Sequence, residues 1–330
     1  MPRRSQTGRI TVPLLAAAST ALLVAGCAAS PSATSAVSSR SSTTAAPVTS
    51  PTTVSPAAST PAPATSTDTM VNAAKGPGLV PPAGYAWSAS PGSAAVQVAT
   101  LPGGGTSLLW MDPTRVRFRY VPGYRYPEGS PASAADRSPS TWVPRMLAAF
   151  NSGYKLSDHV GGYYYLGRTV VPLRAGLASL VVHRNGTLAV GVWGQDIGMT
   201  PDTLLVRQNM RPLVVGGVSQ ASASDGPRTW GISNGNRALA NRSALGRLGD
   251  GSFVFVYAHN VTAATLGATL VSLGVREAIM LDMNISWPTG FVYAHTGSQV
   301  VGARINHWIV RPPSTYLTRF KKDFIAVEGI

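Results

Sequence analysis

"SFVFVYAHNVTAATLGATLVSLGVREAIMLD", residues 252–282, decides how this chain folds. It opens on an apolar run, Phe253 to Ala258, that reads as a strand. Thr262 then stands where a helix would be capped, Leu266, Leu270 and Leu273 repeat at i, i+4 and i+7, and Gly274 marks the stop. A second run, "VREAIMLD", leads inward and ends on a carboxylate, Asp282. Strand, helix and strand make a β-α-β unit, whose two strands are expected to lie parallel.

Working outward, turn signals punctuate short strands. "SLVVH-RNG-TLAVGVWG" is a hairpin in which Asn185-Gly186 supplies the positive φ of a tight turn, and "ALGRL-GDG-SFVFVYAH" repeats the device with Asp250-Gly251. "AAVQVATL", "TSLLWMD" and "VRFRYV" are further alternating or apolar runs, separated by "PGGG" and "DPT". "STWVPRMLAAF" begins with capping candidates and is read as helical through Met146, with "LAAF" equally able to open a strand. The fold class is α+β: a strand-rich mixed sheet with a few flanking helices, in a single domain spanning residues 79–330.

Residues 1–26 have the character of an export signal. Arg3, Arg4 and Arg9 precede the apolar "ITVPLLAAASTALLVAG". "LVAGC" resembles a bacterial lipobox, which makes Cys27 the lipidated mature N-terminus and the lipid its membrane anchor. The apolar run is broken by Pro13 and is shorter than the ~20 residues that usually span a bilayer. Residues 28–69 are nearly all Ala, Ser, Thr and Pro, a composition that cannot bury enough apolar surface to order itself, and residues 27–78 read as the lipidated Cys and its tether. The expected location is the extracytoplasmic face of the cell membrane.

Cys27 is the only cysteine, so a disulfide within the chain, a thiolate metal site and a cysteine nucleophile are all excluded. The formal charge is +14, and setting aside the three signal arginines leaves +11. There is no lysine-rich tract, only four scattered or paired lysines, so nucleic acid is not the expected partner. Outside the cell the matching anionic partners are phospholipid heads, phosphorylated or otherwise anionic glycans, or wall polymers, and the planar guanidinium of arginine suits phosphate.

Several polar residues fall where apolar patterning places them inside or at a strand end: Asn151, Arg174, Gln208, Asn209, Arg242, Asp282 and Asn284. Buried polar groups need partners and a buried arginine needs an anion. One reading is a structural bridge from Arg174 or Arg242 to Asp282; the other is a site. Ser286 and Trp287 follow Asp282, and Trp287 is placed to stack on a sugar ring, whereas Trp110, Trp193 and Trp308 are expected in the core. His183 reads as an exposed residue at a hairpin, and "RFKKDF" (319–324) as a solvated basic face. The echo of "FVYAHN" (255–260) in "FVYAHT" (291–296) is one way to hold a metal between two histidines, but it reads better as two similar strands. No metal and no cofactor are assigned.

"LAAFNSGY", "GRTVVPLRAGLASLVVHRNGTLAVGVWG", "RQNMRPLVVGG", "RSALGRLGDGSFVFVYA" and "LGATLVSLGVREAIMLDMNISW" occur in an order that resembles the phosphodiester glycosidase family. That is the family of the enzyme that uncovers mannose 6-phosphate by removing N-acetylglucosamine from a phosphodiester. The resemblance runs from about "TSLLWMDP" to "WPTGFVYAH". It matches Asn151 and Gly153 to one block, Arg242, Ser243 and Gly246 to a second, and Leu281, Asp282 and Ser286 to a third. In that third block Met283, Asn284 and Ile285 stand where glycines are expected, which puts turnover in question.

What the resemblance implies is a hydrolase of a sugar-phosphodiester bond in an envelope or wall glycan. Asp282 would be nucleophile or electrostatic partner of the anomeric carbon. Arg174 and Arg242 would grip phosphate, while Asn151, Gln208, Asn209, Asn284, Ser286 and Trp287 line the substrate. A departing phosphate carries its charge readily, so one carboxylate can serve where ordinary glycoside hydrolysis uses two. The alternative is an inactive family member that binds an anionic glycan.

Overall fold

The computed structural model describes residues 78–330, all within one compact unit. The export segment, Cys27 and the tether lie outside the described residues. No helix among the described residues is long and apolar enough to cross a membrane.

Three sheets account for the architecture. The largest has eight strands in the order Ser88–Ser90, Ser93–Thr100, Thr106–Met111, Phe253–Val261, Ala240–Leu248, Val275–Met280, Val214–Val215 and Val218–Ser219. A second runs Arg168–Val171, Tyr163–Tyr165, Thr203–Gln208, Ala178–His183 and Leu188–Val192. The third runs Gln299–Arg304, Gly290–Thr296, Met146–Asn151, Phe324–Gly329 and Val116–Val121.

Alternation along the central strands explains how the sheets stack. Leu109, Leu245, Phe255 and Ile279 point into a core shared with Leu180 and Leu205 of the second sheet and Phe150 and Phe291 of the third. The Phe150 and Phe255 rings stack there with centroids 4.8 Å apart. Their neighbours Leu108, Ala244, Val254, Val256 and Ala278 point the other way, onto Leu266 and Leu270 of the one α-helix among the described residues, Ala263–Ser272. Both faces of the large sheet are therefore covered, which is why its strands read as continuous apolar runs. Each fully buried leucine on the helix contributes about 1.5–3 kcal/mol.

The helix forms as its sequence dictates. The Thr262 hydroxyl accepts the Thr265 N–H at 3.0 Å, and Gly274 takes φ +83° just past the end. Both expected hairpins are present, with Gly186 (φ +83°) and Gly251 (φ +87°) as the residues that need the left-handed conformation. The segment before Met146 is not a helix: it makes three short 3₁₀ turns, and the strand opens at Met146. Pro139 and Pro144 each remove a backbone donor that a longer helix would use.

The strands on either side of the helix do run in the same direction, but they do not pair. Ala240–Leu248 lies between them and is antiparallel to both. Every pairing between the named strands is antiparallel, so the sheet is not mixed, and the fold is more strand-rich than an α+β description conveys.

Candidate functional site

Asp282 sits where the first and third sheets meet. Its N–H donates to the Ser152 carbonyl at 3.1 Å. Its own carbonyl accepts from Asn151 Nδ2 at 3.3 Å and from Ser243 Oγ at 3.1 Å. Main chain on both sides is thus held by residues at the ends of strands Met146–Asn151 and Val275–Met280 and by the strand Ala240–Leu248. Asp282 is 4% exposed. Oδ1 accepts the Met283 N–H at 2.8 Å, and Oδ2 is ion-paired with Lys322 Nζ.

The cation against Asp282 is therefore neither Arg174 nor Arg242. Lys322 belongs to "RFKKDF", the stretch expected to be a solvated face, yet Lys322 and Asp323 are both buried. The strand Phe324–Gly329 is interior, so the chain must turn inward just before it. Asp323 Oδ2 accepts from Arg207 Nε at 3.1 Å and from the Tyr120 hydroxyl at 3.3 Å. Arg207 also donates to the Tyr154 carbonyl. Two buried ion pairs, Asp282–Lys322 and Asp323–Arg207, thus stand side by side at consecutive residues of one chain segment.

Burial works against the charge on each member. It pushes the Lys322 ammonium down to about 7, with Asp323 opposing the fall. For Arg207 burial is again the largest single influence, but the Asp323 carboxylate and the Tyr120 and Tyr163 phenols together outweigh it and hold the guanidinium above its ordinary value. The Tyr120 phenol is pushed well up by burial and then by Asp323. Gly153 makes room for this packing, since a Cβ there would lie 2.7 Å from Asn209 Oδ1 and 2.9 Å from Arg207 Cζ. Ser152 Oγ and Asp323 Oδ1 are buried without a hydrogen-bond partner among the described residues.

Above the pair lies Trp287, half-buried, with four cations around its ring. Lys322 Nζ is 4.9 Å from the centroid, Lys321 5.2 Å, Arg311 Cζ 5.3 Å and Lys155 5.9 Å. Arg311 also fixes the loop by donating to the Ser286 carbonyl at 2.7 Å. Cation–π attraction favours each contact by about 0.5–1 kcal/mol at exposed sites, whereas the cations repel one another. Among the described residues only Lys322 of the four has a carboxylate partner. An anion would relieve the repulsion.

The remaining expected residues divide by how their hydrogen bonds are satisfied. Asn151 Oδ1 accepts from Ser243 Oγ and the Thr289 N–H, so both ends of its amide serve the Asp282 junction. Asn209 ties the Tyr154 N–H to the Met280 carbonyl, and Gln208 clamps both main-chain groups of Arg174. Arg242 is buried and donates to the carbonyls of Val261, Trp230 and Ala238, with no carboxylate partner; burial lowers its pKa. Arg174 is exposed and lines a cleft of about 720 Å³ with Glu128, Leu156 and His159. Asn284 takes φ +82° and bonds the 232–234 loop through both ends of its amide. A left-handed asparagine thus stands where a glycine is expected, and the backbone conformation a glycine would allow is kept.

Lys322, Asp323, Arg207 and Lys155 were not singled out from sequence. The signal for Asp323 was present: it abuts an apolar run, "FIAV", as Asp282 does. His183 is buried beside Asp202 rather than exposed. His259 and His295 fall in different sheets, one stacked on Trp308 and the other bonded to the Met146 carbonyl. Trp308 is 45% exposed and is not a core residue.

No family model matches this chain, and no curated protein matches it. Among solved structures, it is similar to the zebrafish N-acetylglucosamine-1-phosphodiester alpha-N-acetylglucosaminidase catalytic domain auto-inhibited by its pro-peptide. That match has 15% identity and a TM-score of 0.42, over 71% of this chain and 78% of the other. A hypothetical protein from Synechocystis matches at 11% identity and a TM-score of 0.38, over 72% of this chain and 62% of that one.

Proposed function

We propose that this chain is a lipid-anchored hydrolase on the extracytoplasmic face of the membrane, cleaving a sugar-phosphodiester linkage in an envelope or wall glycan. The address rests on the export segment, the lipobox-like "LVAGC" and the tether read from sequence. The activity rests on one observation above all: the carboxylate of Asp282 is fixed by strand ends beneath a tryptophan ringed by four cations.

In this reading the sugar packs near Trp287, and the phosphate is held by Lys155, Arg311 and Lys321, the cations without carboxylate partners. Lys322 leaves Asp282 for the phosphate as substrate enters, which bares the carboxylate toward the anomeric carbon. A water oxygen ends bonded to the anomeric carbon as the bond from that carbon to the phosphate oxygen breaks with its electron pair going to phosphate, and the water's surplus proton passes to solvent. The cations stabilise that charge, and no second carboxyl is required to protonate it. Asn151, Ser243 and Ser152 position the Asp282 backbone rather than touch the sugar.

The burial of Asp282, 4% exposed, favours a second reading, in which the cation ring binds an anionic glycan without turnover. Free sugar released from a panel of glycosyl phosphodiesters separates the two. Wild type is expected to release sugar, with Asp282→Ala and the isosteric Asp282→Asn losing at least a hundredfold of the rate, roughly 3 kcal/mol of transition-state stabilisation. Release that survives in a folded Asp282→Asn variant would overturn the role of Asp282. Binding of the panel without release would select the second reading.

A further inference from the structure

We propose that a second cavity, lined in part by Asn284 and Ile285 of the loop that carries Trp287, is a binding site for a sugar ring. The cavity holds about 360 Å³, near the lower end of the ~300–1,000 Å³ usual for small-molecule sites. Asn234, Asn241, Asn260 and Asn284 line it together with His259 and Trp308; Arg237 is its one Lys or Arg, and no carboxylate lines it. The inference does not rest on turnover at Asp282.

The platform is built from the back. The Trp308 and His259 rings stack at 4.0 Å between centroids and 7° between planes. The Trp308 main-chain N–H donates to Asn306 Oδ1 at 2.9 Å, and Asn306 is buried and bonded to Gly104 and Ser107. The His259 ring against the indole limits its motion while nearly half of Trp308 stays open to solvent, so less freedom is lost when a ligand stacks on it.

Main-chain hydrogen bonds tie three of the asparagines together. Asn241 Oδ1 accepts the Asn260 N–H at 3.1 Å, and the Asn241 carbonyl accepts the Asn284 N–H at 3.0 Å. Asn260 adopts φ +51°, a conformation that asparagine tolerates better than most residues. Its side-chain amide makes no hydrogen bond among the described residues. Ile285 and Val310, both exposed, add apolar surface to the lining.

A pyranose matches this combination. Its ring presents an apolar C–H face to an aromatic plane, and its rim of hydroxyls both donates and accepts, as a primary amide does. The absence of carboxylates and the presence of Arg237 leave room for an acidic substituent but none for a cationic one.

Equilibrium dialysis of the full chain against labelled glucose, mannose and N-acetylglucosamine tests the site. Saturable binding of at least one sugar at millimolar concentration is expected. Trp308→Ala should weaken it about tenfold, and Trp308→Phe should restore most of the loss. Asn260→Gly, which keeps the backbone conformation available while removing the amide, should also weaken it. Asp282→Asn should bind as wild type does, which separates this site from the hydrolase reading. No saturable binding of any of the three sugars, or binding unchanged in both Trp308→Ala and Asn260→Gly, would overturn the proposal.

Discussion

Lys322 is the residue on which the site's protonation turns. Unfolded, its ammonium titrates near the ordinary 10.5; folded, burial pushes it down to about 7. Between those values the folded chain binds fewer protons than the unfolded one, so this group's contribution to stability rises with pH across the window. Below about 7 both states hold the proton, and the cost of burying it is felt in full. The double variant Asp282→Asn/Lys322→Met removes both charges. Urea midpoints at roughly pH 7 and pH 9 should show wild type gaining on the double variant at the higher pH. A difference that stays constant, or falls, would mean that Asp282 holds the ammonium charged against burial. At this scale the sequence was legible wherever polarity interrupted an apolar run, as at Asp282 and Asn151. It misled at "RFKKDF", because a short charged stretch carries no mark of the interior strand that pulls it in. Arg207 was hidden for a related reason: its partner Asp323 is 116 residues away.

The elements were read more successfully where their signals are local. A cap, a leucine stripe and a terminal glycine lie within 13 residues of one another in "TAATLGATLVSLG", and the helix formed there. Strand pairing is not local, and nothing in residues 252–282 announces that Ala240–Leu248 will insert between their two strands. The junction beyond Met146–Asn151 depends on a missing side chain. Gly153 lets the chain close on Arg207 and Asn209, and a Cβ there would meet side-chain ends that are pinned by their own hydrogen bonds. Gly153→Ala should therefore cost about 1–3 kcal/mol by overpacking, read as a lower midpoint in denaturant without a change of slope. An unchanged midpoint would mean that the Arg207–Asp323 pair shifts without penalty.

For the whole molecule, the balance of 27 basic against 13 acidic side chains matters most where cations are left without partners. The ring around Trp287 is such a place, and its attraction for an anion is screened over about 10 Å at 0.1 M salt. Binding of a glycosyl phosphodiester should weaken steadily as sodium chloride is raised, and Lys321→Gln should flatten that dependence. Binding of a neutral sugar at the Trp308 cavity should be indifferent to salt. Equal salt dependence at both places would show that the two are not chemically distinct.

The covering of the large sheet on both faces has one more consequence. Ala240–Leu248 is bonded to a strand on each side, and its neighbours are sealed by the helix on one face and by the other two sheets on the other. Amides in such a strand exchange with solvent only when the whole fold opens. Ser243, which holds the Asp282 carbonyl, belongs to that strand. The carboxylate is therefore aimed by the slowest-breathing part of the chain, and its orientation persists for as long as the protein stays folded.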